Sequence, residues 1–211
     1  SLQNHFFFDQ IDLPASVFRQ GSLNDFIALG KPTTNAVRQR LTDLFTNSNT
    51  ELRNDEQARA DSLIPMNDIE MVLPVFVPSY TDFYSSIEHA TNIGSMIRDP
   101  ENALMPNWKH IPVGYHGRSS SIIASGQPVN RPKGQTKAPD ADIPSFGPTN
   151  RLDFELEMAF IVSQETKLGD SISTKEAEDH IFGFVLFNDW SARDVQVWEY
   201  VPLGPFLSKN F

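Results

Sequence analysis

Leu152-Asp-Phe-Glu-Leu-Glu-Met-Ala-Phe-Ile-Val162 alternates residue by residue. Asp153, Glu155 and Glu157 share one parity; Phe154, Leu156, Met158 and Phe160 share the other. Successive side chains of a strand point to opposite faces, so the pattern predicts a β-strand with acids on one side and an apolar set facing a core. Carboxylates at i, i+2 and i+4 repel one another unless something positive compensates. A hard divalent cation such as Mg²⁺ or Ca²⁺ does so, because it takes oxygen ligands and two of them come from one rigid element. An exposed acidic edge strand is the alternative reading of the same residues.

The composition narrows the class. The 211 residues, 39% of them hydrophobic, allow one sizeable core or two modest domains. No apolar run of about 18 residues is present, so no transmembrane helix is expected. The stretch Ser1-Leu-Gln-Asn-His-Phe-Phe-Phe-Asp9 lacks the basic start and apolar region of a signal peptide. The absence of cysteine removes disulfides, thiolate catalysis and cysteine-based zinc sites, and is compatible with a cytoplasmic protein. A net charge of −10 without a basic cluster argues against nucleic acid as a partner. It also requires local positive charge wherever an anionic substrate binds.

Taken in order, Ser22 to Gly30 predicts a short helix closed by glycine. The strongest helix signal runs from Thr34 to Thr46, where Val37, Leu41, Leu44 and Phe45 form one stripe. Residues 1–75 are read as an accessory domain and 76–211 as the chemistry-bearing domain. Val72 to Tyr80, bounded by prolines, and Ser119 to Ala124 are expected as short strands. Ser173-Thr-Lys-Glu176 has capping-box spacing for a short helix. The apolar run Phe182–Phe187 predicts a buried strand delivering Asn188 and Asp189 to a helix that begins at Ser191.

Asp82, Glu155, Glu157 and Asp189 together would make an all-carboxylate site, which selects Mg²⁺, Ca²⁺ or Mn²⁺ over zinc. For Asp189 alone, helix capping is the competing role. Four carboxylates leave a dication site formally negative, so Arg193, Arg98 and Lys209 are the candidate compensating cations. His89 is the leading general base, although a lone histidine is more often structural; His116 competes for the role. A Gly-x-Ser-x-Gly elbow and a glycine-rich phosphate loop are both missing, so neither a serine hydrolase nor an organic nucleotide cofactor is indicated.

Tyr80-Thr-Asp-Phe-Tyr-Ser-Ser86, His89-Ala-Thr-Asn-Ile-Gly94, Pro112-Val-Gly-Tyr-His-Gly-Arg118, Glu155-x-Glu157, Asn188-Asp-Trp-Ser-Ala-Arg-Asp194 and Trp198-Glu-Tyr-Val-Pro-Leu-Gly-Pro-Phe206 resemble the fumarylacetoacetase family. The resemblance runs almost continuously over residues 78–211 and weakly through Leu23–Leu29. It implies a mostly β protein with some α: part of an SH3-like N-terminal domain, then the first part of a mixed β-sandwich or roll. The activity implied is hydrolysis of a carbon–carbon bond in a dianionic diketo acid, giving fumarate and acetoacetate in tyrosine and phenylalanine catabolism.

The resemblance also assigns roles. Asp82, Glu155, Glu157 and Asp189 match metal ligands, for Mg²⁺ or Ca²⁺, and His89 matches the general base. Tyr84, Arg98, Tyr115, Gln196 and Tyr200 match substrate contacts; Arg193, Gln196 and Lys209 match the group that stabilises developing negative charge. A homodimer is implied as well. Family members are longer at both ends, and the acid that orients the histidine lies beyond the matching stretch. The 211 residues alone are therefore expected to fold poorly and turn over little. Another acylpyruvate-type hydrolase, or a metal-binding fragment without turnover, are the rival readings.

Overall fold

A computed structural model describes residues 2–211. The elements, in order, are α1 (Asn24–Ile27), α2 (Lys31–Leu44), α3 (Glu51–Asn54), α4 (Glu56–Ser62), β1 (Thr81–Phe83), α5 (Ile87–Ile97), β2 (Gly114–His116), β3 (Lys133–Thr136), β4 (Ser145–Pro148), β5 (Leu152–Asp153), β6 (Leu156–Val162), β7 (Ile181–Asn188), β8 (Ser191–Ala192) and α6 (Arg193–Glu199). The strands pair two by two, all antiparallel: β1 with β2, β3 with β4, β5 with β8, β6 with β7. The fold is mixed α/β rather than mostly β. Among the described residues up to Phe76 the regular elements are helices and single 3-10 turns, with no strand. None of the described helices is long and apolar enough to cross a membrane.

The chain separates into two compact units, neither continuous in sequence. One contains residues 1–76, 124–127 and 154–189; the other contains 77–123, 128–153 and 190–211.

The first unit is built on α2, whose Val37 and Leu44 are buried as the stripe requires. Gly30, with φ at +86°, supplies the turn that lets α2 start directly after α1, and Pro32 sits in its first turn. Phe45, expected in the same stripe, is exposed instead, one residue beyond the helix. Phe8, Val17, Phe26 and Val37 form one cluster, and Phe182 packs edge-on to Phe26 with ring centroids 6.1 Å apart. Leu44, Leu52 and Ala58 form another. The expected strand over Val72–Tyr80 is irregular. Pro74 has no N–H for a ladder, and Phe76 bonds the side chain of Asn24 in both directions, at 2.8 and 3.2 Å.

The stretch that opens the sequence reading is not one strand. It breaks at residues 154–155, so Asp153 ends β5 opposite Ser191 while Glu157 lies in β6 opposite Phe187. Its faces are also reversed from expectation. Leu156, Met158, Phe160 and Val162 are the exposed parity, with Met158 at 66%, while Glu157, Ala159 and Ile161 are half-buried. Phe184 and Leu186, directly opposite Phe160 and Met158, extend that exposed apolar face. The alternation was legible, but which face is covered depends on what packs there, and no second layer covers this one in the unit. The capping-box serine does bond Glu176, at 2.7 Å, but closes only a turn over 173–176; the 3-10 helix that follows, Ala177–His180, has no side-chain cap.

In the second unit Tyr84 N–H donates to Val113 O at 2.8 Å, continuing the β1–β2 ladder, and the indole of Trp108 donates to Tyr84 O at 2.9 Å. Ser119–Ala124, expected as a strand, forms turns. The helix α5 approaches the chain at Ala103 so closely that a Cβ on Gly94 would stand 2.0 Å from the Ala103 carbonyl oxygen. The same oxygen accepts from Arg98 Nη1 at 2.8 Å. The helix α6 lies on β3, with Val195 against Gly134. At its start Asp194 accepts from the Thr149 hydroxyl, from Asn150 N–H at 2.8 Å and from Val195 N–H at 3.1 Å. Burial pushes the Asp194 pKa up, but these donors outweigh it and hold it below the usual carboxylate value.

Three outcomes follow. Gly94→Ala forces Ala103 backbone to move and should cost about 1–3 kcal/mol in denaturant unfolding; an unchanged midpoint would contradict the close approach. Asp194→Asn should destabilise by about 1–3 kcal/mol, since it removes acceptors from buried donors. Because the folded pKa is depressed, that difference is complete at neutral pH and shrinks as pH falls below about 4. A deficit that persists unchanged at pH 2 would refute the assignment. Finally, the exposed face of β6 and β7 predicts that the isolated 211-residue polypeptide binds ANS and self-associates; a monomer without ANS fluorescence would count against it.

Candidate metal and substrate site

In the first unit the end of β7 is stitched to the start of β6. Asp189 N–H donates to Glu155 O at 3.0 Å, and Glu155 N–H donates to the Asn188 side-chain oxygen at 3.2 Å. This continuation of the β6–β7 register brings Glu155 next to Asp189 in the backbone and sets Glu157 two residues along. Oxygens of Glu157 and Asp189 lie within 4.8 Å of each other. Asp189 is only 1% exposed and Glu157 half-buried. Two carboxylates so close offer oxygen donors to one cation. An all-oxygen donor set of this kind suits Mg²⁺ or Ca²⁺. Helix capping, the alternative for Asp189, does not apply: the residue before α6 is Ala192, and no side chain caps it.

The second unit carries the remaining sequence candidates. Asp82 is the central residue of β1, half-buried and opposite Tyr115 of β2. Tyr84 follows on the same parity, and its ring meets His89 edge-on at 5.4 Å. His89 sits in the first turn of α5, where its N–H donates to the capping Ser86 hydroxyl at 3.2 Å, and its side chain is exposed. His116, the competing histidine, pairs with Thr81 at the far end of β1. Arg98 caps the end of α5 and is tied to Ala103 as described.

Arg193 and Gln196 lie on one face of α6. Arg193 donates to Asp153 at 2.9 Å through Nε and to Gln196 Oε1 at 3.1 Å through Nη1. Asp153, grouped by parity with the acids of β6, is thus the carboxylate partner of an arginine. Tyr200 is exposed just past α6, and Lys209 is buried at 4% exposure in a 3-10 turn over Leu207–Lys209.

Sequence reasoning missed Asp194 and Glu199. The first gave a faint signal, an acid in the first turn of a helix. The second gave none, because its carboxylate is engaged by backbone N–H groups seven to nine residues ahead.

The comparisons agree over nearly the whole chain. Residues 79–211 match the family described as "Fumarylacetoacetate (FAA) hydrolase C-terminal", and residues 1–74 match "Fumarylacetoacetase N-terminal". The chain is 55% identical over 203 residues to a fumarylacetoacetase of Caenorhabditis elegans, covering 96% of this chain and 49% of that protein. It is 54% identical over 197 residues to one of Dictyostelium discoideum, covering 92% and 46%, and 53% identical over 195 residues to one of Homo sapiens, again 92% and 46%. The chain spans about half the length of these curated relatives. With both family models and relatives of this identity in accord, the chain belongs to the fumarylacetoacetate hydrolase family.

Proposed function

We propose that the protein carrying this chain hydrolyses fumarylacetoacetate to fumarate and acetoacetate, as a cytoplasmic homodimer acting in tyrosine breakdown. The observation that carries the reading is the crowded pair Glu157 and Asp189 in a chain whose curated relatives are fumarylacetoacetases. Residues 1–75 are proposed as part of an SH3-like accessory domain, and 76–211 as the first part of the catalytic β-sandwich or roll.

Asp82, Glu155, Glu157 and Asp189 are the proposed ligands of one Mg²⁺ or Ca²⁺. When bound, such a cation supplies Lewis-acid charge for the dioxo unit of the substrate. The rest falls to side chains. Tyr84, Arg98, Tyr115 and Tyr200 hold the ends of the dianion, which an acidic protein would otherwise repel. His89 takes a proton from water as the water oxygen adds to the carbonyl. The edge of Tyr84 against its ring restricts its orientation. The carbon–carbon bond then breaks, its electron pair leaving as the acetoacetate enolate. Arg193, Gln196 and Lys209 stabilise that developing negative charge, and protonation of the enolate carbon completes the balance. Arg193 and Gln196 reach such a position already bonded to one another, so little reorganisation remains.

Loss of fumarylacetoacetate absorbance by the whole protein, with and without chelator, tests the proposal. His89→Ala should lower kcat by about 10²–10⁴-fold without loss of cation binding. Glu157→Gln should weaken the cation itself, read by calorimetry. Preference for acetylpyruvate or fumarylpyruvate would move the protein to another hydrolase of the superfamily; cation binding with no turnover of any of the three would leave a metal-binding module.

A further inference from the structure

Between α6 and the turn that carries Lys209 the chain makes a closed loop. Tyr200 N–H returns to Gln196 O at 3.0 Å, and Gly204, at φ +102°, donates to Tyr200 O at 2.7 Å. The loop interior holds exposed apolar residues, Val201, Leu203 and Phe206, so it is not fixed by packing. What fixes it is one carboxylate. Glu199 Oε1 accepts from Phe206 N–H at 2.7 Å and Ser208 N–H at 2.8 Å, and Oε2 accepts from Leu207 N–H at 3.1 Å. Those donors open the Leu207–Lys209 turn, which packs on α6 and β8 with Ser208 at 0% and Lys209 at 4% exposure.

We infer that Glu199 is a positioning residue: by gathering the amides of residues 206–208 it holds the Lys209 ammonium where the reaction needs it, without touching substrate. The inference rests on the proposed hydrolysis and on Lys209 as a charge-stabilising group. A carboxylate with three amide donors has its charge largely met by the backbone, so it fixes the lysine without cancelling the lysine's charge. Burial raises the Glu199 pKa, but the Ser208, Phe206 and Leu207 donors prevail and keep it below the usual value, so the clamp is ionised throughout the neutral range.

Glu199→Gln replaces one acceptor oxygen with an NH₂ that faces amide N–H groups. In the whole protein it should lower kcat by about 10–100-fold with KM within about twofold, the pattern of an interaction gained in the transition state. Lys209→Met should cost a similar factor. The double variant should be no worse than the poorer single one, because both act through the same ammonium. Losses that multiply would overturn the inference and leave Glu199 a structural residue.

A second measurement needs no turnover. Acetylation by a limiting amine reagent, mapped by peptide mass, should label Lys209 slowly against exposed Lys167 and about tenfold faster in Glu199→Gln. Equal labelling in both proteins would sink the inference even if the enzyme is active. An unmodified protein that hydrolyses nothing would instead sink the proposed function, while the labelling still decides whether Glu199 holds Lys209.

Discussion

The close approach of Glu157 and Asp189 is the constraint on which the rest depends. Their oxygens lie within 4.8 Å of each other, and Asp189 is nearly without solvent. Backbone geometry brings them there. The β6–β7 register sets Glu157 across from Phe187, and the exchange between Asp189, Asn188 and Glu155 fixes the end of the ladder. Strands place such groups more firmly than loops do, and Glu157 is carried by one while Asp189 directly follows another.

The same ladder explains the apolar surface beside it. A two-stranded antiparallel pair is marginal by itself and needs a second layer on its apolar side. On one side Glu157, Ala159 and Ile161 are half-buried; on the other Met158, Phe160, Phe184 and Leu186 stay in water. Period-two alternation separated Glu157 from Leu156, Met158 and Phe160 as the strand does, but it turned the apolar parity toward a core. It could not tell which would be covered, because the period is the same whichever face packs. The end of β5 at Asp153 was illegible for a related reason: Phe154 and Glu155 continue the alternation without glycine or proline, while β5 pairs with β8 and β6 with β7.

Where local rules suffice, the sequence was readable. Helix α2 follows from its apolar stripe, and β7 from its apolar run, although the run is not buried as expected: Phe184 and Leu186 are exposed. The helix expected from Ser191 starts at Arg193, because Ser191 and Ala192 pair as β8. Candidate chemistry was legible where it is carried by dense motifs, as in Tyr80–Ser86 and Asn188–Asp194. Interactions that join residues distant in sequence through backbone groups were not. Asp194 with the N–H of Asn150 and Arg131 with the carbonyl of Thr149 leave no pattern, because the backbone partner has no identity to read.

Charge is the remaining puzzle for a protein at −10 proposed to bind a dianion. Its candidate cations are few, and each is tied down differently: Arg193 to a carboxylate and an amide, Arg98 to a backbone carbonyl, Lys209 through the turn in which it is buried. A neutral carbonyl orients a guanidinium without subtracting from its charge. Asp153 does subtract, but it is exposed, so solvent screens much of that loss. Fixed orientation then compensates for small number, since a cation already aimed needs no reorganisation when negative charge develops in front of it. An acidic surface with a few preorganised cations therefore suits a reaction in which charge moves more than it accumulates.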